Sequence, residues 1–530
     1  MNKSNQKKPA TASYVEIGLV NSASANLGDP YVSLFATVSG VTANFYVDLK
    51  TGIATFNKPK KGKDVFKLSA LTGGIIKLDK TIDATAGRIY FSSDSSVVTS
   101  ATQPDITSAD FYFDWVEFAL VGSGNKLVAN TTQVDQFGFP IKLTISPADA
   151  NFGATAGSNA TRSAILSAFK TDVGGDYDDC LFPVPNKTGD YYRILSPNQA
   201  IVNKPGSKLA DYFTTVIDDF FTYYTNNKLY LAGNVAYPYE GQVTTVSGTG
   251  TDNKPHDYHV LQFKLASDAP INKGLSKTPP SGAGPFNIYY PFFTTNNPAG
   301  HGKDFNGGDI LPPPKWWGHS IKGKGSLNEA ESPSQMIFAG NGIFADTFWQ
   351  LDATAVNPQT NLLGNLENQL NVAFNRGHAT SWFTLSGSIA PGSAASAGGY
   401  TSTVTLDTTD YSDQNTPKDN TNVKVGMQVL SQAAAVPLEV TTLSGADQFD
   451  VKSPQPILAQ NTLYVSFADF YPSGGTWNAY GEFFHKEDIS IGGRAYALSF
   501  DDQGGFSSTL TSVYSSSNPA SLKIELLAWT

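Results

Sequence analysis

The sequence predicts a mainly β protein with a mixed α/β part and a small β module inserted into it. Alternating apolar and polar residues fill the chain from residue 12 to about residue 151, with Gly, Asp and Asn at the breaks. Later segments have helical spacing, and residues 384–464 consist mainly of small and polar residues. The 530 residues are enough for two or three domains rather than one core.

These changes of periodicity and composition predict how the chain is divided into domains. The predicted parts are a polar tail (1–11), a β-sandwich or barrel domain (12–155 and 478–530), a mixed α/β domain (156–383 and 465–477) and the inserted module (384–464). Few aromatic residues occur in the module, which favours a spacer or a surface for protein contacts over a sugar-binding surface.

Three segments have the i, i+3, i+4 spacing of amphipathic helices: 159–173, 207–227 and 357–377. Ser207 can cap the second helix, and Gly377 ends the third.

Composition excludes several classes of function. A net charge of −10 argues against a nucleic-acid partner, which requires a basic surface. No segment approaches the roughly 18 apolar residues of a membrane-spanning helix. Cys180 is the only cysteine, so no internal disulfide can form. The opening MNKSNQKKPATASYVEIGLV has no apolar run of the kind found in secretion signals, which leaves a cytoplasmic location open.

The carboxylates Glu117 and Asp135 lie within the apolar stretch FYFDWVEFALVGSGNKLVANTTQVDQFGFP, residues 111–140. Strand alternation puts Glu117 on the same face as Trp115, and Asp135 on the same face as Thr131 and Gln133. If odd residues pair with odd residues across the hairpin, both acids project from one side. A slip of one residue would separate them.

With Glu117 opposite Thr131, Asp135 lies about 13 Å further along its strand by strand rise. Side-chain reach then makes the roughly 6.5–9.5 Å spacing of an inverting glycosidase attainable, and the roughly 5–5.5 Å of a retaining enzyme difficult. Glu117 would protonate the leaving oxygen and Asp135 would activate water. The alternative is that both acids lie on a solvated strand face without a catalytic role.

Several motifs in sequence order resemble glycoside hydrolase family 64, the β-1,3-glucanases of the thaumatin-like superfamily. The motifs are GRIYFSS (87–93), DWVEFAL, NTTQVDQFGFPI, YYRILSPNQAI (191–201), SQMIFAGNGIF (334–344), LNVAFNRG (370–377) and EFFHKEDISIGGRAYALSFDDQGG (482–505). The resemblance covers most of residues 12–383 and 465–530. It implies a thaumatin-like β-sandwich or barrel domain and a mixed α/β domain with a wide groove between them, and an extracellular or cell-surface location.

The resemblance also implies an inverting attack on β-1,3-glucan by Glu117 and Asp135. Trp115, Thr131, Thr132 and Gln133 are the expected substrate contacts, with Thr132 matching a substrate-contacting threonine of the family. No metal or cofactor is expected.

The start without a secretion signal, the departure at Ala119 and the aromatic-poor insertion support an alternative from another class. Ala119 stands where the family has a small hydroxyl residue, and the turn between the acids is longer than usual. The alternative is a non-catalytic thaumatin-like protein with a structural, assembly or glucan-binding role. A further open point concerns Asp501 and Asp502, which could hold Ca²⁺ or a buried arginine, the structural role being favoured.

Overall fold

In a computed structural model of the chain, strands account for most of the regular structure. The described residues are 14–95, 105–148, 153–234, 237–265, 285–291, 303–312, 332–340, 358–381, 384–394, 399–406, 423–430, 438–453 without 446, 457, 461–499 without 469 and 473, 501, and 508–530 without 516 and 517. The chain forms two compact units. Unit 1 comprises residues 1–199, 483–497 and 506–530, and unit 2 comprises residues 200–482 and 498–505. The predicted boundary at residue 155 falls inside unit 1.

Unit 1 contains two large sheets. Sheet A has the order β12-β11-β27-β1-β6, in which only β1 and β27 run parallel. Its strands are β1 (Tyr14–Asn21), β6 (Ile75–Asp79), β11 (Ile141–Ser146), β12 (Thr155–Gly157) and β27 (Ser521–Leu526).

Sheet B is antiparallel, with the order β26-β9-β8-β7-β2-β3-β4 and with β5 paired to β2. Its strands are β2 (Tyr31–Val38), β3 (Val41–Val47), β4 (Ala54–Phe56), β5 (Val65–Lys67), β7 (Asp83–Ser92), β8 (Phe113–Val121), β9 (Lys126–Thr131) and β26 (Leu510–Val513).

One hydrophobic core joins these two sheets. Alternate residues of sheet A, such as Ile17 and Ile524, and of sheet B, such as Ile89 and Val116, are completely buried in it. This is the sandwich arrangement in which the inner faces of two sheets interdigitate. The predicted mainly β fold class with a mixed part is therefore confirmed.

A small antiparallel sheet completes the strands of unit 1. Its strands are β10 (Gln136–Phe137), β13 (Leu181–Pro183) and β14 (Tyr191–Leu195), in the order β10-β14-β13. The helices that begin before residue 200 are α1 (Ser24–Leu27), α2 (Arg162–Asp172) and α3 (Pro197–Asn203). Thr161 caps α2, because its hydroxyl accepts the Ala164 N–H.

Unit 2 contains a four-stranded antiparallel sheet in sequence order: β15 (Leu229–Asn234), β16 (Tyr237–Thr249), β17 (Pro255–Leu265) and β18 (Phe286–Tyr289). The later helices among the described residues are α4 (Thr214–Asn226), α5 (Pro333–Ala339), α6 (Pro358–Asn375) and α7 (Ala479–Phe484). Rings of α4, α5 and α6 and of the residue before α4 pack together, with Phe213 against Phe338 and Phe220 against Phe374. No described helix meets the length and hydropathy that a bilayer-crossing helix requires.

The predicted helix over 207–227 is divided in two. A 3₁₀ turn at Lys208–Asp211 precedes α4, which begins only at Thr214. The amide of Phe213 donates to the hydroxyl of Ser334 at 2.8 Å instead of to a helical carbonyl, and this side-chain acceptor accompanies the break. Such an interruption leaves no trace in hydrophobic periodicity.

Residues of the predicted insertion form a sheet of their own in unit 2. Its order is β19-β25-β22-β23-β24-β21-β20, and β19 also pairs with β21, so six strands form a continuous hydrogen-bonded ring. Phe449, Val404 and Val440 lie in its separate core. The strands are β19 (Thr384–Ile389), β20 (Ser393–Ala394), β21 (Tyr400–Leu406), β22 (Gln428–Leu430), β23 (Leu438–Leu443), β24 (Gln448–Ser453) and β25 (Asn461–Ala468).

Candidate active site

The candidate site lies on the face of sheet B that is turned away from the hydrophobic core. Even-numbered residues of β8, such as Val116 and Phe118, enter the core, so the odd-numbered residues occupy the other face. Glu117 is 31% exposed on that face, and Ala119 is half-buried beside it. A carboxylate in the middle of this strand is therefore accessible to solvent.

The expected register of the hairpin is wrong. Glu117 lies opposite Asn130, and Thr131 lies opposite Val116. The four residues of the turn, Gly122–Asn125, bring Val121 opposite Lys126, so odd residues always pair with even ones. Thr131 consequently shares the core-facing side of the sheet with Val116 rather than the side of Glu117.

Asp135 is not on the strand predicted for it. Strand β9 ends at Thr131, and an irregular segment carries Asp135 to the start of β10. The amide of Ser196 donates to the Asp135 carbonyl at 2.9 Å, and Gln199 Nε2 donates to Asp135 Oδ1 at 3.3 Å. The loop, rather than strand parity, positions this carboxylate.

Arg88, which the sequence alone does not single out, interacts electrostatically with both acids. Arg88 lies opposite Glu117 on β7, and its Nη2 atom is 3.1 Å from Glu117 Oε1. Burial disfavours the charged guanidinium, but Tyr90, Glu117 and Asp135 outweigh it and raise the pKa of Arg88. Both carboxylates therefore act electrostatically on one side chain. In the sequence, the only sign of a role for Arg88 is that it interrupts the apolar run of GRIYFSS.

Tyr90 completes this group of polar residues. It shares the face of Arg88 on β7, and Arg88 Nη1 donates to its hydroxyl at 3.3 Å. Burial raises the pKa of Tyr90, so the phenol stays neutral over the usual pH range.

Trp115 is buried beneath the site, with only 1% of its surface exposed. Its ring packs against Tyr90 and Phe113, with centroid distances of 5.6 and 6.3 Å, and the Arg88 guanidinium lies 5.2 Å from its centroid. Its position on the face of Glu117 is confirmed. The ring supports Arg88 but offers no open platform for a sugar, so substrate stacking stays a prediction that the burial does not favour.

The other predicted substrate contacts are buried in the segment that leads to Asp135. Thr131 accepts the Ser508 hydroxyl proton at its carbonyl, Thr132 Oγ1 accepts the Val134 N–H at 3.3 Å, and the Gln133 amide donates to Tyr496 at 2.7 Å. All three are at most 7% exposed. These contacts hold the backbone of the segment, and sugar binding by the three side chains stays a prediction.

Asp114 fixes the segment on the far side of Asp135. Its buried carboxylate accepts the backbone N–H groups of Gly138 at 2.7 Å, of Phe139 at 3.3 Å and of Trp115 at 2.8 Å. Burial raises the pKa of Asp114 to about 7, against the effect of these donors. Gly138 is required there, because a Cβ atom would lie 2.2 Å from the Phe113 carbonyl oxygen.

Among the described residues, no group of three His, Cys, Asp or Glu side chains converges as metal ligands do. In unit 2, Asp501 pairs with the guanidinium of Arg376 at 3.1 Å, and both side chains are completely buried. The structural role favoured for Asp501 over Ca²⁺ binding is confirmed. Asp502 lies outside the described residues.

Comparison with known proteins identifies the group to which these features belong. Residues 22–283 match the family model of glycoside hydrolase family 64, described as β-1,3-glucanase. The β-1,3-glucanase domain of this family from Clostridium beijerinckii has 16% sequence identity and a TM-score of 0.52, with 98% of this chain and 100% of that chain covered. A laminaripentaose-producing β-1,3-glucanase solved with laminaritetraose has 14% identity and a TM-score of 0.49, with 98% and 99% covered. The Clostridium structure shows a shared fold. No curated protein matches the chain.

Proposed function

Because residues 22–283 belong to glycoside hydrolase family 64, we propose that the chain hydrolyses β-1,3-glucan in an endo-acting manner with inversion at the anomeric carbon. The residues proposed to act on the substrate are Glu117 and Asp135. The observation that carries the proposal is the solvent-accessible Glu117 carboxylate on the outer face of sheet B, where it is paired with Arg88. Asp135 is held in the segment after β9 by hydrogen bonds from Gln199 and Ser196.

The placement of the two acids supports inversion over retention. Glu117 lies on a regular strand, whereas Asp135 lies in the irregular segment four residues beyond the end of β9. Asn130, not an acid, occupies the position directly across from Glu117. The acids are thus not neighbours on paired strands, an arrangement that favours the wider spacing in which a water molecule fits between substrate and base.

In the proposed reaction Glu117 is the general acid and Asp135 the general base. Asp135 takes a proton from water while the water oxygen bonds to the anomeric carbon. The bond from that carbon to the leaving oxygen breaks, and the leaving oxygen receives the Glu117 proton. The Gln199 amide donates to Asp135 Oδ1 and so helps to orient the carboxylate that acts as the base. Proton exchange with solvent restores both acids.

The test is the release of reducing ends from laminarin by the full chain and by Glu117→Gln and Asp135→Asn. Removing either proton-transfer group is expected to lower activity by about 10²- to 10⁴-fold. Glu16→Gln is the matched control, because Glu16 is an exposed glutamate on a strand of sheet A. An inactive wild type, or a Glu117→Gln variant as active as wild type, would contradict the catalytic assignment.

Stereochemistry and mode of attack need separate readouts. Proton NMR of the first products should show the α-anomer, because inversion converts the β-linkage. An initial β-anomer would show retention. Endo attack should lower the viscosity of a soluble β-1,3-glucan early and yield oligosaccharides, whereas release of glucose alone would exclude it.

A non-catalytic glucan-binding protein is the second candidate. Ala119 favours it, because this residue shares the accessible face of Glu117 and offers no hydroxyl to a sugar. Retardation of the protein in a laminarin-containing gel, without release of reducing ends, would support this candidate over hydrolysis.

A further inference from the structure

We propose that Arg88 and Asn130 are positioning residues that control the proton of Glu117 from opposite sides. The inference rests on the proposed function, because it concerns the carboxyl group assigned there as the general acid. It assigns a role to one residue on each strand that flanks β8.

The three residues form a row across sheet B. Glu117 lies directly opposite Arg88 on β7 and directly opposite Asn130 on β9. Residues paired in this way have Cβ atoms about 4.5–5.5 Å apart and project to the same side of the sheet. Both neighbours are therefore within side-chain reach of the Glu117 carboxyl group.

The two neighbours differ in the hydrogen bonds that they can make. Arg88 is already paired with Glu117, with Nη2 3.1 Å from Oε1. The Oδ1 atom of Asn130 is buried and has no hydrogen-bond partner among the described residues. A buried amide oxygen without a donor is costly, and it is satisfied when a donor reaches it.

These properties favour opposite protonation states of one carboxyl group. A guanidinium has only donors, so it stabilises the ionised carboxylate. An amide oxygen is an acceptor, so it stabilises the protonated carboxyl, which carries an O–H donor. A general acid must hold its proton before bond cleavage and be stable without it afterwards. Contact with Asn130 serves the first state, and contact with Arg88 serves the second.

Two further titratable groups interact electrostatically with Arg88 in the described part of unit 1, namely Tyr90 on β7 and Asp135 before β10. Tyr90 remains neutral and accepts a hydrogen bond from Arg88, which helps to hold the guanidinium in place. Asp135, when ionised, opposes ionisation of Glu117 and so acts in the same direction as Asn130. Of these groups, Arg88 is therefore the one that favours the ionised form of Glu117, against Asn130 and Asp135.

The experiment combines the pH profile of kcat/KM on laminarin with a ¹³C NMR titration of the Glu117 carboxyl, assigned by its loss in Glu117→Gln. For Arg88→Met we expect the high-pH limb of the profile and the titration midpoint of Glu117 to move to higher pH by about 1 pH unit or more, because the cation is lost. For Asn130→Ala we expect both to fall, because water replaces the acceptor and hydrates the carboxylate. Arg88→Lys keeps the charge and should lie close to wild type.

Opposite shifts in the two variants support the inference. Shifts in the same direction, or none, would overturn it, even if both variants lost activity. A purely structural role would lower kcat without moving the limb. If Arg88→Met does not fold, Arg88→Lys and Asn130→Ala suffice, since an unchanged or raised midpoint in Asn130→Ala contradicts the inference.

The titration separates this inference from the proposed function. NMR requires no turnover, so opposite shifts in a protein that releases no reducing ends would sustain the role of Arg88 and Asn130 while refuting hydrolysis. An active wild type with an inactive Glu117→Gln, but without the shifts, would do the reverse.

Discussion

Two arginine–carboxylate pairs in this molecule have the same contact distance and opposite surroundings. Arg88–Glu117 in unit 1 and Arg376–Asp501 in unit 2 both have a nitrogen–oxygen distance of 3.1 Å. The side chains of the first pair are 25% and 31% exposed, and those of the second are completely buried. Solvent screens the first pair and can exchange protons with the Glu117 carboxyl group. The second pair is shielded from water and is stabilised only by the protein groups around it. Accessibility, not contact geometry, thus separates a tunable pair from a structural one.

The largest expected effect comes from breaking the buried pair. Asp501→Asn leaves the Arg376 charge in the core of unit 2, where the Leu498 amide also donates to Asp501. We expect a loss of about 3–5 kcal/mol in the free energy of unfolding, measured by urea denaturation. A loss below about 1 kcal/mol would show that the buried pair is no more structural than the exposed one.

Asp114 is buried among backbone hydrogen-bond donors, and its contribution to stability depends on pH. Its pKa is raised from 3.8 to about 7, mainly by burial, so between about pH 4 and pH 7 the folded protein retains a proton that the unfolded chain has lost. The stability from this group is full below about pH 4 and is lost as the pH rises through 7. We expect the thermal midpoint to fall by a few degrees between pH 5 and pH 8, and Asp114→Asn to flatten this dependence. Glu16→Gln is the control, and equal slopes in all three proteins would contradict the assignment.

Breaking the exposed pair should affect stability far less than activity. Glu117→Gln removes the partner of Arg88 at a site open to water, so we expect the free energy of unfolding to change by at most about 1 kcal/mol. Urea denaturation beside Asp501→Asn measures both pairs on one scale. A loss of the size expected for Asp501→Asn would mean that Glu117 is a structural residue.

Salt gives the smallest and most selective difference. At 1 M ionic strength the Debye length is about 3 Å, so the stability lost in Arg88→Met should shrink relative to low salt. The loss in Asp501→Asn should stay constant, because no salt enters the core around Arg376. Denaturation of both variants at two NaCl concentrations measures this difference, and equal salt dependence would remove the distinction between the pairs.

Much of the fold was predictable because it depends on local patterns. The alternation of apolar and polar residues in 12–151 predicts strands of unit 1. The change of composition at residue 384 marks the start of a sheet with its own core. The start of α4 was not predictable, because Ser334, more than 100 residues away, accepts the amide of Phe213. Long-range side-chain acceptors have no signature in a periodicity window.

The candidate site was predictable in its residues but not in its geometry. Glu117 and Asp135 are conspicuous as acids in an apolar hairpin. The register depends on the conformation of the turn at Gly122–Asn125, in which Asn125 adopts a left-handed backbone with φ of 48°, and sequence alone does not give its hydrogen bonding. The role of Arg88 emerges only once β7 is placed beside β8.

The turn at Gly122–Asn125 also constrains how this hairpin can change in length. Surface turns usually tolerate insertions and deletions, but a Cβ atom on Gly122 would lie only 2.6 Å from the carbonyl carbon of Thr81. If the conformation of the four-residue turn is kept, one residue inserted or deleted there shifts β9 by one position and reverses which of its residues face Glu117, exchanging Asn130 for a neighbour that now enters the core. Two residues more or fewer would preserve the alternation. Homologues that keep this turn conformation and an amide beside this glutamate should therefore differ here by insertions or deletions of an even number of residues.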